Sequence, residues 1–210
     1  FVYLIYRFVV VADVEQLLRI NEFTVPSFLL AMALSASWQI AYGPYVADYS
    51  RYLPTDTNPR AVFCACLGGS VLSATIAMTF GVLLAAYVGE GFRHHEVEAL
   101  VSLGPNAFIA GAIYLVIALG KLCVNVLNTY GGFMSVSTIW SGLRGKAEIP
   151  PQLRVVIIVL MTAVAVGVAM WGRGNFLDAF SSFLLFLLTF FTPWSAINLV
   201  DYYFISKDRY

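Results

Sequence analysis

The chain has 210 residues, of which 60% are hydrophobic and only 11% charged, and its formal net charge is zero. Soluble domains carry roughly 45–50% apolar and about 25% charged residues, so a water-exposed fold lacks the polar surface it needs here. The balanced charge also lacks the basic excess that nucleic acid as a partner would require.

Phe1 opens directly into the apolar run 1–11, with no initiator Met, basic stretch or cleavage site. That run reads as the tail of a helix begun elsewhere, and the sequence as a fragment without a signal peptide. A loop at 12–25 follows, then spanning segments near 26–48, 60–88, 107–140, 153–171 and 176–204. Each contains an uncharged stretch that meets or approaches the ~20 apolar residues needed to cross a ~30 Å hydrocarbon core. The segment 107–140 exceeds one plain span, and Gly131-Gly132 predicts a break into a spanning helix and a shorter one. The fold class expected is all-α integral membrane, one transmembrane domain over 1–210 with no soluble domain and no short-period repeat.

Basic residues in the short loops set the orientation. One side collects Arg51, Arg60, Arg144, Lys146, Arg154, Lys207 and Arg209. The other holds Arg19, Arg93 and Arg173, together with Glu15, Glu22, Glu90, Glu96 and Glu98. The first set belongs in the cytoplasm, so a multi-pass protein of the cell membrane is expected, with its C-terminus inside. Tyr45, Tyr49, Tyr52, Tyr87, Trp140, Trp171, Tyr202 and Tyr203 sit near span ends, as interfacial aromatic belts do.

Cys64, Cys66 and Cys123 lie in apolar segments without metal-ligand spacing, and the C-x-C pair points to different helix faces, which suits neither a disulfide nor zinc. His94 and His95 share a polar loop with Glu96 and Glu98, a solvated setting. No G-x-S-x-G, H-E-x-x-H or Walker pattern occurs, so neither catalytic residues nor a metal or organic cofactor is expected.

Polar groups at bilayer depth are costly unless paired, and two segments carry them. In the first, Ser35, Trp38, Gln39 and Tyr42 fall at i, i+3, i+4 and i+7 on one helical face, with Ser37 beside them. Gly43-Pro44 follows and predicts a helix break, which frees backbone groups next to an aromatic plane, an amide and hydroxyls. Such a set suits a flat, hydrogen-bonding solute; a helix–helix contact with polar glue and a proline kink explains it equally. In the second, Lys121, Asn125 and Asn128 lie at i, i+4 and i+7, and should face protein or a wet cavity. Lys121 is too far from either end of its run to snorkel easily. Function, or a structural cluster in which the lysine reaches a carbonyl, both satisfy that spacing.

The string from Gly43 to Pro54 (Gly43-Pro44-Tyr45-Val46-Ala47-Asp48-Tyr49-Ser50-Arg51-Tyr52-Leu53-Pro54) resembles the sixth-helix ending of the nucleobase–cation symporter 1 family. Its purine–cytosine permease branch is the nearest likeness. Asn125 to Tyr130 resembles that branch's eighth-helix motif, and Pro193 to Tyr203 the end of its tenth helix. The resemblance implies two inverted five-helix repeats of the leucine-transporter type, in a ten-to-twelve-helix fold. This chain would supply the end of helix five and helices six to ten, so the N-terminal helices of the same protein are missing partners. It further implies a secondary active transporter importing a nucleobase, cytosine or a purine, with a coupled ion by alternating access. Trp38 would stack on the base, with Gln39, Ser35, Ser37 and Tyr42 around it, and Asn125 and Asn128 would read its edge, where a carboxamide offers donor and acceptor side by side. Sodium-coupled members place hydroxyls on helix eight, where this chain reads Lys121-Leu122-Cys123-Val124. A fixed ammonium replaces sodium electrostatically, which favours a proton over sodium as coupling ion, with Lys121 in the switch. Other readings are a same-fold transporter of allantoin, hydantoin, a nucleoside or a vitamin-like heterocycle, a channel, a membrane enzyme, or a fragment without transport.

Overall fold

The computed structural model describes residues 1–20, 23–145 and 149–206. Lys146, Lys207, Arg209 and Glu22, on which part of the orientation argument rests, lie outside the described residues. Among the described residues there is no strand, and the helices run in the order α1 (Val2–Val11), α2 (Val14–Leu18), α3 (Val25–Ala41), α4 (Gly43–Ser50), α5 (Pro59–Val88), α6 (Glu96–Val101), α7 (Ala107–Arg144), α8 (Pro151–Trp171) and α9 (Phe176–Val200).

Among the described residues, four helical runs are long and apolar enough to cross a membrane: Val25–Ser50, Pro59–Phe92, Ala107–Arg144 and Pro151–Ile205. The last contains both α8 and α9, of 21 and 25 residues, joined by a 3-10 turn at Gly172–Asn175. At 1.5 Å per residue either helix covers about 30 Å or more, the depth of a hydrocarbon core. Their surfaces are apolar almost all round, which a helix tolerates only in lipid or deep inside protein. The chain is an all-α, multi-pass membrane protein.

The chain divides into two units, Phe1–Asp13 with Leu84–Asn175, and Val14–Leu83 with Phe176–Tyr210. In the first, Phe8 of α1 is fully buried and meets Tyr87 edge-on, with ring centroids 5.8 Å apart. Arg7 anchors the same helix by donating from Nε to the Leu103 carbonyl at 3.2 Å. Leu84, Ala99, Leu103 and Ile113 are buried too, so the core of this unit gathers where α5 ends, α6 turns and α7 begins. The loop expected at 12–25 contains the short helix α2.

The break expected at Gly131-Gly132 is not there. α7 is one helix of 38 residues, about 57 Å long, capped by the Asn106 carboxamide at its start and by Gly145 at φ 63° at its end. A mid-helix glycine weakens a helix by only about 1 kcal/mol, too little by itself to force a break. Ser135 donates to the Gly131 carbonyl and Ser137 to that of Phe133, at 3.0 and 2.7 Å. Gly132 instead permits close approach: a Cβ there would run into the terminal methyl of Met161 on α8.

In the second unit α3 lies along α9. Thr24 caps α3 by accepting from the Ser27 N–H, and Pro26 occupies its first turn, where a missing N–H is harmless. The helix stops at Ala41, and α4 restarts at Gly43. Pro44 has no N–H for the Ile40 carbonyl, and the Tyr42 N–H bonds to the Gln39 carbonyl at 3.2 Å, a tightened turn.

A candidate solute groove beside Trp38

One turn of α3 sends its polar residues in two directions. Ser37 is 1% exposed, and its Oγ donates to the Leu184 carbonyl of α9 at 2.5 Å. It is committed to that helix contact and turned away from the groove described next. Ser35, Trp38, Gln39 and Tyr42 all face α5. Ser35 Oγ points to Met78 Sδ at 3.7 Å, and Gln39 is bound twice by Ser70.

Trp38 and Tyr42 open one wall of a groove of about 600 Å³, continued by Val46, Tyr49 and Leu53. The opposite wall is α5, where Ala65, Cys66, Gly69, Ser70, Ser73 and Ala74 recur at helical spacing. Its size fits a small-molecule site, mostly apolar with a few hydroxyls. The indole of Trp38 is 49% exposed and meets Phe180 edge-on at 6.4 Å, which leaves a π-face open. Just below, Tyr42 and Tyr45 stack at 5.9 Å.

Ser70 and Ser73 were not among the residues singled out from the sequence. The signal was available: an apolar helix carrying serines and glycines at i, i+3 and i+4 reads as a contact face. What the sequence withholds is which helix that face meets.

The second polar set lies in the other unit. Lys121, Asn125 and Asn128 occupy a stretch of α7, from Ala118 to Asn128, that is exposed on every side within this chain. Lys121 forms no ion pair among the described residues. Asn125 lines a smaller cavity of about 320 Å³ between α7 and α8, together with Thr129, Tyr130, Phe133, Arg154 and Ile158. Arg154 lies over the Phe133 ring at 4.9 Å, a cation–π contact that spacing did not suggest.

Cys64 and Cys123 are exposed, Cys66 is half-buried in the groove wall, and all are free thiols. In the loop before α6, His95 Nδ1 lies 2.6 Å from Glu98 Oε2 on the surface. No group of three or more His, Cys, Asp or Glu side chains gathers to hold a metal among the described residues.

Residues 3–210 match the family described as permease for cytosine/purines, uracil, thiamine, allantoin. The chain belongs to that permease family. Its relatives include the Bacillus subtilis protein named "Putative purine-cytosine permease YxlA", 36% identical over 89% of this chain and 40% of that protein. The purine-cytosine permease fcyB of Emericella nidulans is 22% identical over 78% of this chain and 33% of that protein. The chain therefore spans less than half the length of these curated relatives. No solved structure matches it. These relatives are named permeases, which are transporters rather than enzymes.

Proposed function

We propose that the full protein imports a nucleobase, cytosine or a purine, by alternating access, and that the groove beside Trp38 receives the base. The observation that carries this reading is the half-exposed indole at the mouth of a 600 Å³ groove, in a member of a cytosine/purine permease family. A flat heterocycle stacks on the indole, and the broken helix at Tyr42 lets that wall move. By resemblance to the purine–cytosine permeases, Asn125 and Asn128 are further candidates for contacting a base edge, each carboxamide matching the alternating donors and acceptors of cytosine, adenine or hypoxanthine. Ser35 and Tyr42 flank the stacked ring. Ser37 supports the site from behind through α9.

The fold of the whole is of the leucine-transporter type, with helices outside this chain completing the site. Its C-terminus is cytoplasmic, following the positive-inside pattern. A proton is favoured over sodium as the coupling ion, with Lys121 as part of the switch. Support comes from the residues themselves: an ammonium on a transmembrane helix that has no ion pair among the described residues.

Radiolabelled cytosine uptake by cells expressing the full-length protein, at several pH values with and without sodium, tests the reading. Saturable uptake that rises at acid pH and ignores sodium supports it. A second substrate class follows from the family description itself, which extends to thiamine and allantoin. Competition by a panel of bases, allantoin and thiamine decides between them, and failure of every base to compete would move the solute to that second class.

A further inference from the structure

The two walls of the groove are joined by one carboxamide. Ser70 Oγ donates to Gln39 Oε1 at 2.6 Å, while Gln39 Nε2 donates to the Ser70 carbonyl at 3.4 Å. Both ends of the Gln39 amide are thus held by a single residue of α5, and one amide N–H remains uncommitted among the described residues. The Ser70 carbonyl also accepts from Ser73 Oγ at 3.3 Å, so the acceptor is itself fixed. Higher up, Ser35 makes a weak contact with Met78 at 3.7 Å.

Near Ser70 the α5 wall offers little packing across the groove. Ala65, Gly69 and Ala74 carry no side chain long enough to reach across, and a Cβ added at Gly69 would meet nothing within 4 Å. Gln39, held at both ends of its amide by Ser70, therefore links α3 to α5 there. A base lying against Trp38 is confined by that same link, because Ser70 lines the groove on the opposite side.

We propose that Gln39 and Ser70 form a spacer that sets the size of the solute groove, which makes Ser70 a specificity-determining positioning residue. The proposal rests on the reading that the groove beside Trp38 holds the base. Loss of the Ser70 hydroxyl frees the Gln39 oxygen and lets the walls separate, so two-ring bases gain relative to one-ring bases.

The test uses the full-length protein in cells and compares initial uptake rates of labelled cytosine and adenine, with surface abundance measured alongside. For Ser70→Ala the ratio of adenine KM to cytosine KM falls by about three- to tenfold, the scale set by loss of one hydrogen bond. Gln39→Ala moves the ratio the same way, the double variant moves it no further, and Ser70→Thr, which keeps a hydroxyl, leaves it near wild type. If Ser70→Ala does not reach the membrane, Ser70→Cys replaces it, with the same shift expected from its weak donor. An unchanged ratio at normal abundance, or additive effects in the double variant, overturns the spacer. Wild-type protein that takes up neither base overturns the groove reading and the spacer with it, a result plainly distinct from an unchanged ratio.

Discussion

Ser37 and Leu184 tie α3 to α9: the serine hydroxyl donates to the leucine carbonyl at 2.5 Å, and the serine is 1% exposed. Trp38, the next residue, lies a third of a helical turn away and faces the groove. One residue secures the wall and its neighbour presents the ring. Because the two roles sit on different faces, substitutions should separate them.

Ser37→Ala removes the hydroxyl from a buried helix contact. Interhelical hydrogen bonds in membranes contribute about 0.6 kcal/mol on average and about 1.7 at most. The expected outcome is a modest loss of thermal stability in detergent, with KM for solute unchanged. Ser37→Val adds a branched side chain to a filled contact and should lower folded yield further. A large change in KM from Ser37→Ala, at normal stability, would return Ser37 to the solute site.

Two glycines of the first unit should respond in opposite ways to alanine. A Cβ at Gly104 would lie 2.7 Å from the Ala110 nitrogen and 2.9 Å from its Cα, atoms of a helix backbone that cannot step aside. Gly104→Ala should therefore sharply reduce the yield of monodisperse protein. At Gly132 only the end of the Met161 side chain stands in the way, and methionine has rotamers to spare. Gly132→Ala should be close to neutral, whereas Gly132→Leu should disrupt the α7–α8 contact. Size-exclusion profiles of the three variants, expressed in parallel, decide the matter.

The membrane class and the helices were legible because apolar runs of the right length leave few alternatives. The interruption at Tyr42 was legible for a local reason, since Pro44 removes a donor wherever it stands. Gly131-Gly132 misled because glycine permits both a break and a close approach, and only the partner, Met161, decides which. Ser37 shows the same limit. Its position beside Trp38 suggested a shared site, but a difference of one residue turns a side chain by 100°. Ser70 and Arg154 became visible only once their partners Gln39 and Phe133 were in place, information that spacing along one helix does not contain.

Trp38→Ala in the full-length protein removes the open aromatic face. Base–aromatic stacking contributes about 1–3 kcal/mol, so KM for cytosine should rise by roughly five- to 150-fold while membrane insertion stays normal. Trp38→Phe keeps a smaller π-face and should fall between. Asn128→Ala should abolish uptake without loss of surface protein. Kinetics for Trp38→Ala that match wild type would remove the stacking role.

Lys121 offers the sharpest test of coupling. It sits on α7 within a stretch that is uncharged apart from itself, exposed in this chain on every side and without an ion pair among the described residues. A charge held at such depth is expensive unless it works or is neutralised by a partner from the rest of the protein. With a proton as the coupling ion, uptake should rise with acidity, because each inward cycle consumes a proton from outside. Lys121→Met cannot take part in that exchange, so accumulation against a gradient should collapse and the acid stimulation with it. Equilibrating exchange of labelled for unlabelled base should survive, since the base contacts are untouched. If instead the Met variant keeps both accumulation and its pH profile, and wild-type uptake needs sodium, Lys121 has no part in coupling. The ammonium would then be a structural group that reaches a carbonyl of a neighbouring helix.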